Sequence, residues 1–139
     1  MMIADGATSV TVDHNTVLQD GYSVLYGYGV PMPHFVFTNN IVPDYSWAIM
    51  GGSASPGNGT IAMYFAGGVF LGGVFAGSNP AIYPTNNYYP TAMSAVGFLN
   101  LTGGNYRLSA ASPYRNVATD GGAPGCNIDA LNAAAGTKY

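Results

Sequence analysis

The sequence predicts an all-β chain, a solenoid of a few stacked coils finished by an irregular C-terminal cap and a short helix. Two observations carry most of this. A pattern of alternating apolar residues, two polar ones, an Asn and a short apolar pair occurs twice. It reads Ser9-Val10-Thr11-Val12-Asp13-His14-Asn15-Thr16-Val17, then His34-Phe35-Val36-Phe37-Thr38-Asn39-Asn40-Ile41-Val42. The second observation is its period, 25 residues from Asn15 to Asn40. Alternation marks strands with one buried face, and an Asn that tolerates the left-handed region bends the chain into the next strand. A repeat of this length buries its apolar face against its neighbours, so Asn15 and Asn40 are expected to stack as a structural turn ladder.

The elements follow in order. Residues 1–8 read as the tail of a preceding strand and turn. The strand 9–13 directs Val10 and Val12 inward and Ser9, Thr11 and Asp13 outward, and Val17-Leu18 begins the next side. Gln19-Asp20-Gly21 is a turn and Tyr22–Tyr26 a strand, while Pro31 and Pro33 make 27–33 a loop. The second coil, 35–43, is followed by a turn at 44–46 and a companion strand, 47–51. Residues 52–60 are a flexible surface loop by composition. A degraded third copy lies at 68–76, with Gly73 in the place held by Asn15 and Asn40, since Gly also allows positive φ. Residues 79–90 form an irregular, tyrosine-rich excursion. Short strands flank the 102–105 turn. Asn127 then caps a helix, Asp129 suits its positive end, and Gly136 stops it. The division is therefore coils over 1–95 and a capping segment over 96–139.

Composition excludes several functions. Only 6% of the 139 residues are charged, against roughly 25% in ordinary soluble domains. There is no Glu, and no Asp, Lys, Arg or His between Asp44 and Arg107. Such a surface suits an extracellular or cell-surface protein, or one whose sides are covered by neighbours. Three basic residues and a net charge of -3 cannot make the basic stripe that nucleic acid requires. The single Cys126 allows no internal disulfide and no CxxC motif. The chain opens without a signal peptide. The uncharged stretch 61–77 is short and glycine-rich for a membrane span, and reads instead as buried strands.

The two Asn-turn coils and the tail Val96-Gly-Phe98…Gly104-Asn-Tyr-Arg-Leu108…Ser112-Pro-Tyr-Arg115…Ala118-Thr-Asp-Gly121…Pro124-Gly125…Ile128-Asp-Ala-Leu131 carry a likeness. They resemble the C-terminal part of bacterial secreted right-handed parallel β-helix repeat proteins, of the pectate-lyase-like superfamily. The resemblance covers nearly the whole chain and implies a right-handed parallel β-helix. It also implies that further coils stand upstream in larger members, and it implies carbohydrate association as a class tendency. Members often carry an Asp where Ala123 stands.

The residues point to no reaction. A polysaccharide lyase needs Lys or Arg beside a carboxylate-bound Ca²⁺, and a hydrolase needs converging carboxylates. The six Asp residues (5, 13, 20, 44, 120, 129) and Arg107, Arg115 and Lys138 do not recur in register. Asp13-His14 is the best single candidate for acid–base work, against two neighbours on a solvent-facing turn. His14 and His34 alone make a weak zinc case. No catalytic residue, metal ligand or cofactor is therefore assigned. Asn58-Gly-Thr60 and Asn100-Leu-Thr102 are glycosylation sequons. Trp47, Tyr83, Tyr88 and Tyr89 form either a sugar-stacking platform or core and subunit contacts. The reading favoured is a non-catalytic extracellular assembly module, self-associating end to end into oligomers or filaments, with copies of itself or upstream coils as partners. The alternatives are a carbohydrate-binding surface protein, or the rear of a polysaccharide-active enzyme whose site lies on absent coils.

Overall fold

The computed structural model describes residues 1–136. In chain order the strands are β1 (Met2–Ala4), β2 (Thr11–Asp13), β3 (Ser23–Tyr28), β4 (Val36–Thr38), β5 (Ile41–Pro43) and β6 (Trp47–Gly51). Helix α1 (Asn58–Tyr64) comes next, then β7 (Val69–Leu71), β8 (Val74–Ala76), β9 (Phe98–Asn100), β10 (Asn105–Leu108) and helix α2 (Ile128–Ala135). Single 3₁₀ turns stand at Pro80–Ile82 and Met93–Val96.

The expected right-handed parallel β-helix does not form. The strands, mostly of three residues, lie in four separate small sheets, ordered β1-β3-β6, β2-β4-β7, β5-β8 and β10-β9. The last is antiparallel, and no continuous solenoid is evident among the described residues. The physical reasons are local. Val17-Leu18 forms no strand, since its segment reaches the second copy through one bridge, Thr16↔Ile41. Residues 58–64, expected as the end of a flexible loop (58–60) and the start of buried strands (from 61), are instead helical and separate β6 from β7. Beyond residue 77 the sequence is too rich in Pro, Gly and Asn to extend the parallel sheets by whole strands.

What the repeat does produce is register. Val12, Phe37 and Phe70 lie side by side across β2, β4 and β7, and Asp13 pairs with Thr38, which in turn pairs with Leu71. Leu25 pairs with Ile49, and Val42 with Phe75. Leu25, Ile49, Phe37, Val42, Phe70 and Phe75 are all buried, because matched parallel register puts like positions on one face. Phe35 packs tilted against Phe65 with ring centroids 4.5 Å apart, and Phe37 meets Phe75 at 6.2 Å. Ile41, Val74, Ala76 and Val96 make a second cluster under the C-terminal segment.

The two ends of this core differ. At one, α1 lies on β3 and β6, where Gly27 and Gly51 leave space for the Tyr64 ring. A Cβ at either glycine would fall within 3 Å of that ring. Gly57 donates to Ile49 O. Gly72 donates to Asn86 O, Phe75 to Tyr88 O and Gly77 to Pro90 O, so residues 86–90 cover β7 and β8. At the other end β1 and β2 each have one hydrogen-bonded neighbour strand. Ile3, Val10, Val12 and Val17 are only partly covered there.

Candidate functional site

The turns that follow β2, β4 and β7 build the most polar part of the interior. His14 (φ 51), Asn39 (φ 55) and Gly72 (φ 65) take the left-handed conformation, one position before Asn15, Asn40 and Gly73, where the sequence pattern placed it. Asn15 and Asn40 instead use their side chains. Asn40 Oδ1 accepts from Asn15 N at 2.9 Å and Asn15 Nδ2 at 3.0 Å, and Asn40 Nδ2 donates to Val12 O at 2.8 Å. Asn87 repeats this at the next turn. Its Oδ1 accepts from Gly73 N at 2.8 Å and its Nδ2 donates to Phe70 O at 2.9 Å. Sequence reasoning missed Asn87, inside the irregular 79–90 excursion, because its turn partner is a glycine with no side chain to suggest a ladder.

His14 sits between two carboxylates. Its Nδ1 is 2.9 Å from Asp13 Oδ2, and its Nε2 is 3.6 Å from Asp120 Oδ2. Asp13 Oδ1 accepts from Thr38 Oγ1 at 2.6 Å and Asn39 Nδ2 at 2.9 Å. Burial pushes the Asp13 carboxyl up, but the hydrogen bonds from Thr38, His14 and Asn39 outweigh it and hold the group below its ordinary 3.8. Asn39 also donates to Thr119 Oγ1, and its Oδ1 accepts from Thr119 N. Gly125 donates to Asn39 O, and Cys126 N to Thr16 Oγ1. Residues 118–126 are thereby pinned across the turns.

A cleft of about 420 Å³ opens beside this cluster, walled by His14, Asp120, Cys126, Tyr106, Arg107 and Asp129. Arg107 donates from Nε and Nη2 to Asp129 Oδ1, at 3.0 and 2.6 Å, and this hydrogen bond and charge hold Asp129 below its usual range. A general base needs a ring nitrogen aimed at substrate. Here Nδ1 of His14 meets Asp13 at hydrogen-bond distance, and Nε2 lies 3.6 Å from Asp120. The register sets Asn39, not His34, beside His14, and His34 stands next to Ser9. Among the described residues no group of three or more His, Cys, Asp or Glu is placed to hold a metal ion. No helix among them is long and apolar enough to cross a membrane. Lys138 lies outside the described residues.

The four aromatics read as either a sugar platform or core and subunit contacts differ in their surroundings. Tyr83 is 1% exposed, donates to Asp44 Oδ2 and accepts from Ala48 N, each at 3.0 Å. Burial, then the Asp44 charge, holds its phenol well above the usual 10. Tyr89 stacks with Tyr83 and Phe75, and burial pushes it up to about 12. Tyr88 sets its edge on Tyr114, and Trp47 is half-buried beside Ser23. Of the sequons, Asn58 is the exposed first residue of α1, but Thr60 is fully buried and donates to Ser55 O. Asn100 and Thr102 are both exposed.

No family model, curated protein or solved structure matches this chain. The likeness to secreted β-helix repeat proteins rests on the quoted residues alone.

Proposed function

We propose that the chain is a non-catalytic, extracellular structural module that self-associates through its open end. The observation that carries this is the asymmetry of the core. The β1 and β2 edges present unpaired backbone groups, and Met1 and Met2 are 48% and 66% exposed beside them. A recess of about 340 Å³ there is walled by Met1, Val12, Val17, Val24 and Phe37. An uncovered strand edge flanking apolar side chains is a template for pairing with another chain. The opposite end is closed by α1 and residues 80–90, so it offers no complementary edge. Open end must then meet open end, a self-complementary contact that closes as a two-fold dimer rather than growing a filament.

Size-exclusion chromatography with light scattering tests this. The native chain is expected as a dimer that dissociates on dilution. Met2→Asp, at an exposed edge position, and Val12→Asp are expected to give monomers. Leu131→Asp, on the exposed side of α2, is expected to leave the dimer intact. A monomer at all concentrations would sink the proposal, and open-ended fibres would sink the two-fold closure.

A further inference from the structure

Residues 118–126 lie as a strap across the turns that follow β2 and β4. The tip of the strap is built locally. Ala118 N donates to Gly122 O, Gly121 N to Ala118 O and Gly122 N to Asp120 Oδ1. These bonds fix the Asp120 carboxyl, whose Oδ2 is left facing His14 Nε2 at 3.6 Å. Four hydrogen bonds tie the strap to the turns. Asn39 Nδ2 donates to Thr119 Oγ1, Thr119 N to Asn39 Oδ1, Gly125 N to Asn39 O and Cys126 N to Thr16 Oγ1. Each of the four joins backbone, amide or hydroxyl groups, so none gains or loses charge with pH. The contact of Asp120 with His14 does. From this arrangement we infer that the strap is operated by a proton: protonated His14 holds Asp120 and closes the strap on the turns, and loss of that proton loosens it.

The geometry of the ring explains the sign. Histidine ordinarily changes charge between about pH 5 and 8, a range in which carboxylates stay ionised. Asp13, held below 3.8, keeps its charge throughout. The left-handed backbone of His14 sets the ring between Asp13 and Asp120, with Nδ1 2.9 Å from Asp13 Oδ2. As an imidazolium both nitrogens carry protons, and each carboxylate has a positive partner. The neutral ring keeps one proton, and the short contact holds it on Nδ1 against Asp13. Nε2 then turns a lone pair toward Asp120 Oδ2, and attraction becomes repulsion. Other charged groups reach the same cleft from β10 and α2. Arg107 and Asp129 pair with each other at 2.6 Å, and Arg107 also donates to Asn105 Oδ1. Tyr106 and Cys126 are the remaining titratable groups that line it. Exposure sets the size of the effect. The side chains of His14 and Asp120 are 29% and 62% exposed, so solvent screens the pair. Deprotonation shifts the closing equilibrium about threefold, a bias rather than an all-or-none release.

The test is hydrogen exchange with mass spectrometry on the full chain, each rate divided by the intrinsic exchange rate at the same pH. Peptides covering 118–126 report the Thr119, Gly125 and Cys126 amides that tie the strap down. Their protection is expected to fall about threefold between about pH 5.5 and about pH 8. The Val74 amide, bonded to Asn40 O, is expected to keep its protection. Two variants are each expected to flatten the dependence. His14→Asn tolerates the left-handed backbone and stays neutral, and Asp120→Asn keeps an oxygen for Gly122 N. His34→Asn, at the exposed histidine beside Ser9, is expected to behave as the native chain does. Native protection that is flat or rises with pH, or a fall that survives either His14→Asn or Asp120→Asn, would overturn the inference. Asp13 stands on the β2 edge, so light scattering accompanies each sample. A loss of protection that merely tracks dissociation would assign the pH dependence to the open end and overturn it as well.

Discussion

Replacing Asn40 by Ala tests whether the side-chain amides hold the turns together. The substitution removes three hydrogen bonds, two accepted from Asn15 and one donated to Val12 O. Asn40 is wholly buried, while Asn15 is exposed and Val12 half-buried, so water reaches part of what is left behind. At about 1 kcal/mol net per bond the loss is about 3 kcal/mol. For a chain of this length that lowers Tm by about 10 °C. Asn87→Ala removes fewer ladder bonds but costs more. Its partners Gly73 N and Phe70 O are buried, and an orphaned donor and acceptor with no water in reach cost about 4 kcal/mol together. Asn15→Ala, at the exposed end, costs about 1 kcal/mol. The expected order is therefore Asn87, Asn40, Asn15, read from urea unfolding followed by circular dichroism. A double-mutant cycle between Asn15 and Asn40 should give a coupling of about 1 kcal/mol. Equal losses at all three positions would show that burial of the amide partners does not set the cost, and would refute the reasoning.

Two further outcomes follow from the same region. Because the Asp13 carboxyl is held below 3.8 in the folded chain, its contribution to stability is complete above that pH. It is lost as pH falls through the lower folded value. Asp13→Asn should therefore narrow the gap between thermal stability at pH 6 and at pH 2–3, and an unchanged acid limb would remove Asp13 from the account. Gly125→Ala sets a Cβ 2.5 Å from Thr16 Oγ1 and 2.7 Å from Ile41 Cδ1, at φ +83. Backbone strain and overpacking together should cost about 3 kcal/mol. Gly121→Ala, also at φ +83 but with nothing within 4 Å, should cost only about 1 kcal/mol in denaturant unfolding.

The sequence by itself determined the local features. Alternation in 9–13 and 35–38 made strands, and the 25-residue spacing set Val12 beside Phe37 and Asn15 beside Asn40. Asn127 and Gly136 bounded α2, with Asn127 Oδ1 accepting from Ala130 N. These depend on neighbours in the chain or on a repeat that carries its own ruler. Tertiary structure alone decided the rest. No periodicity announced that Gly27 and Gly51 leave room for Tyr64, which ties α1, a segment read as loop and strand, to the β3–β6 sheet. The pairing of His14 with Asp120 spans 106 residues of chain with no repeat linking them. The expected solenoid failed for the same reason. Register is a local property that a short pattern can encode, whereas continuity of a sheet requires every later segment to supply a strand. The Pro-, Gly- and Asn-rich chain after β8 adds no strand to the parallel sheets and forms turns, the antiparallel β9–β10 pair and α2 instead.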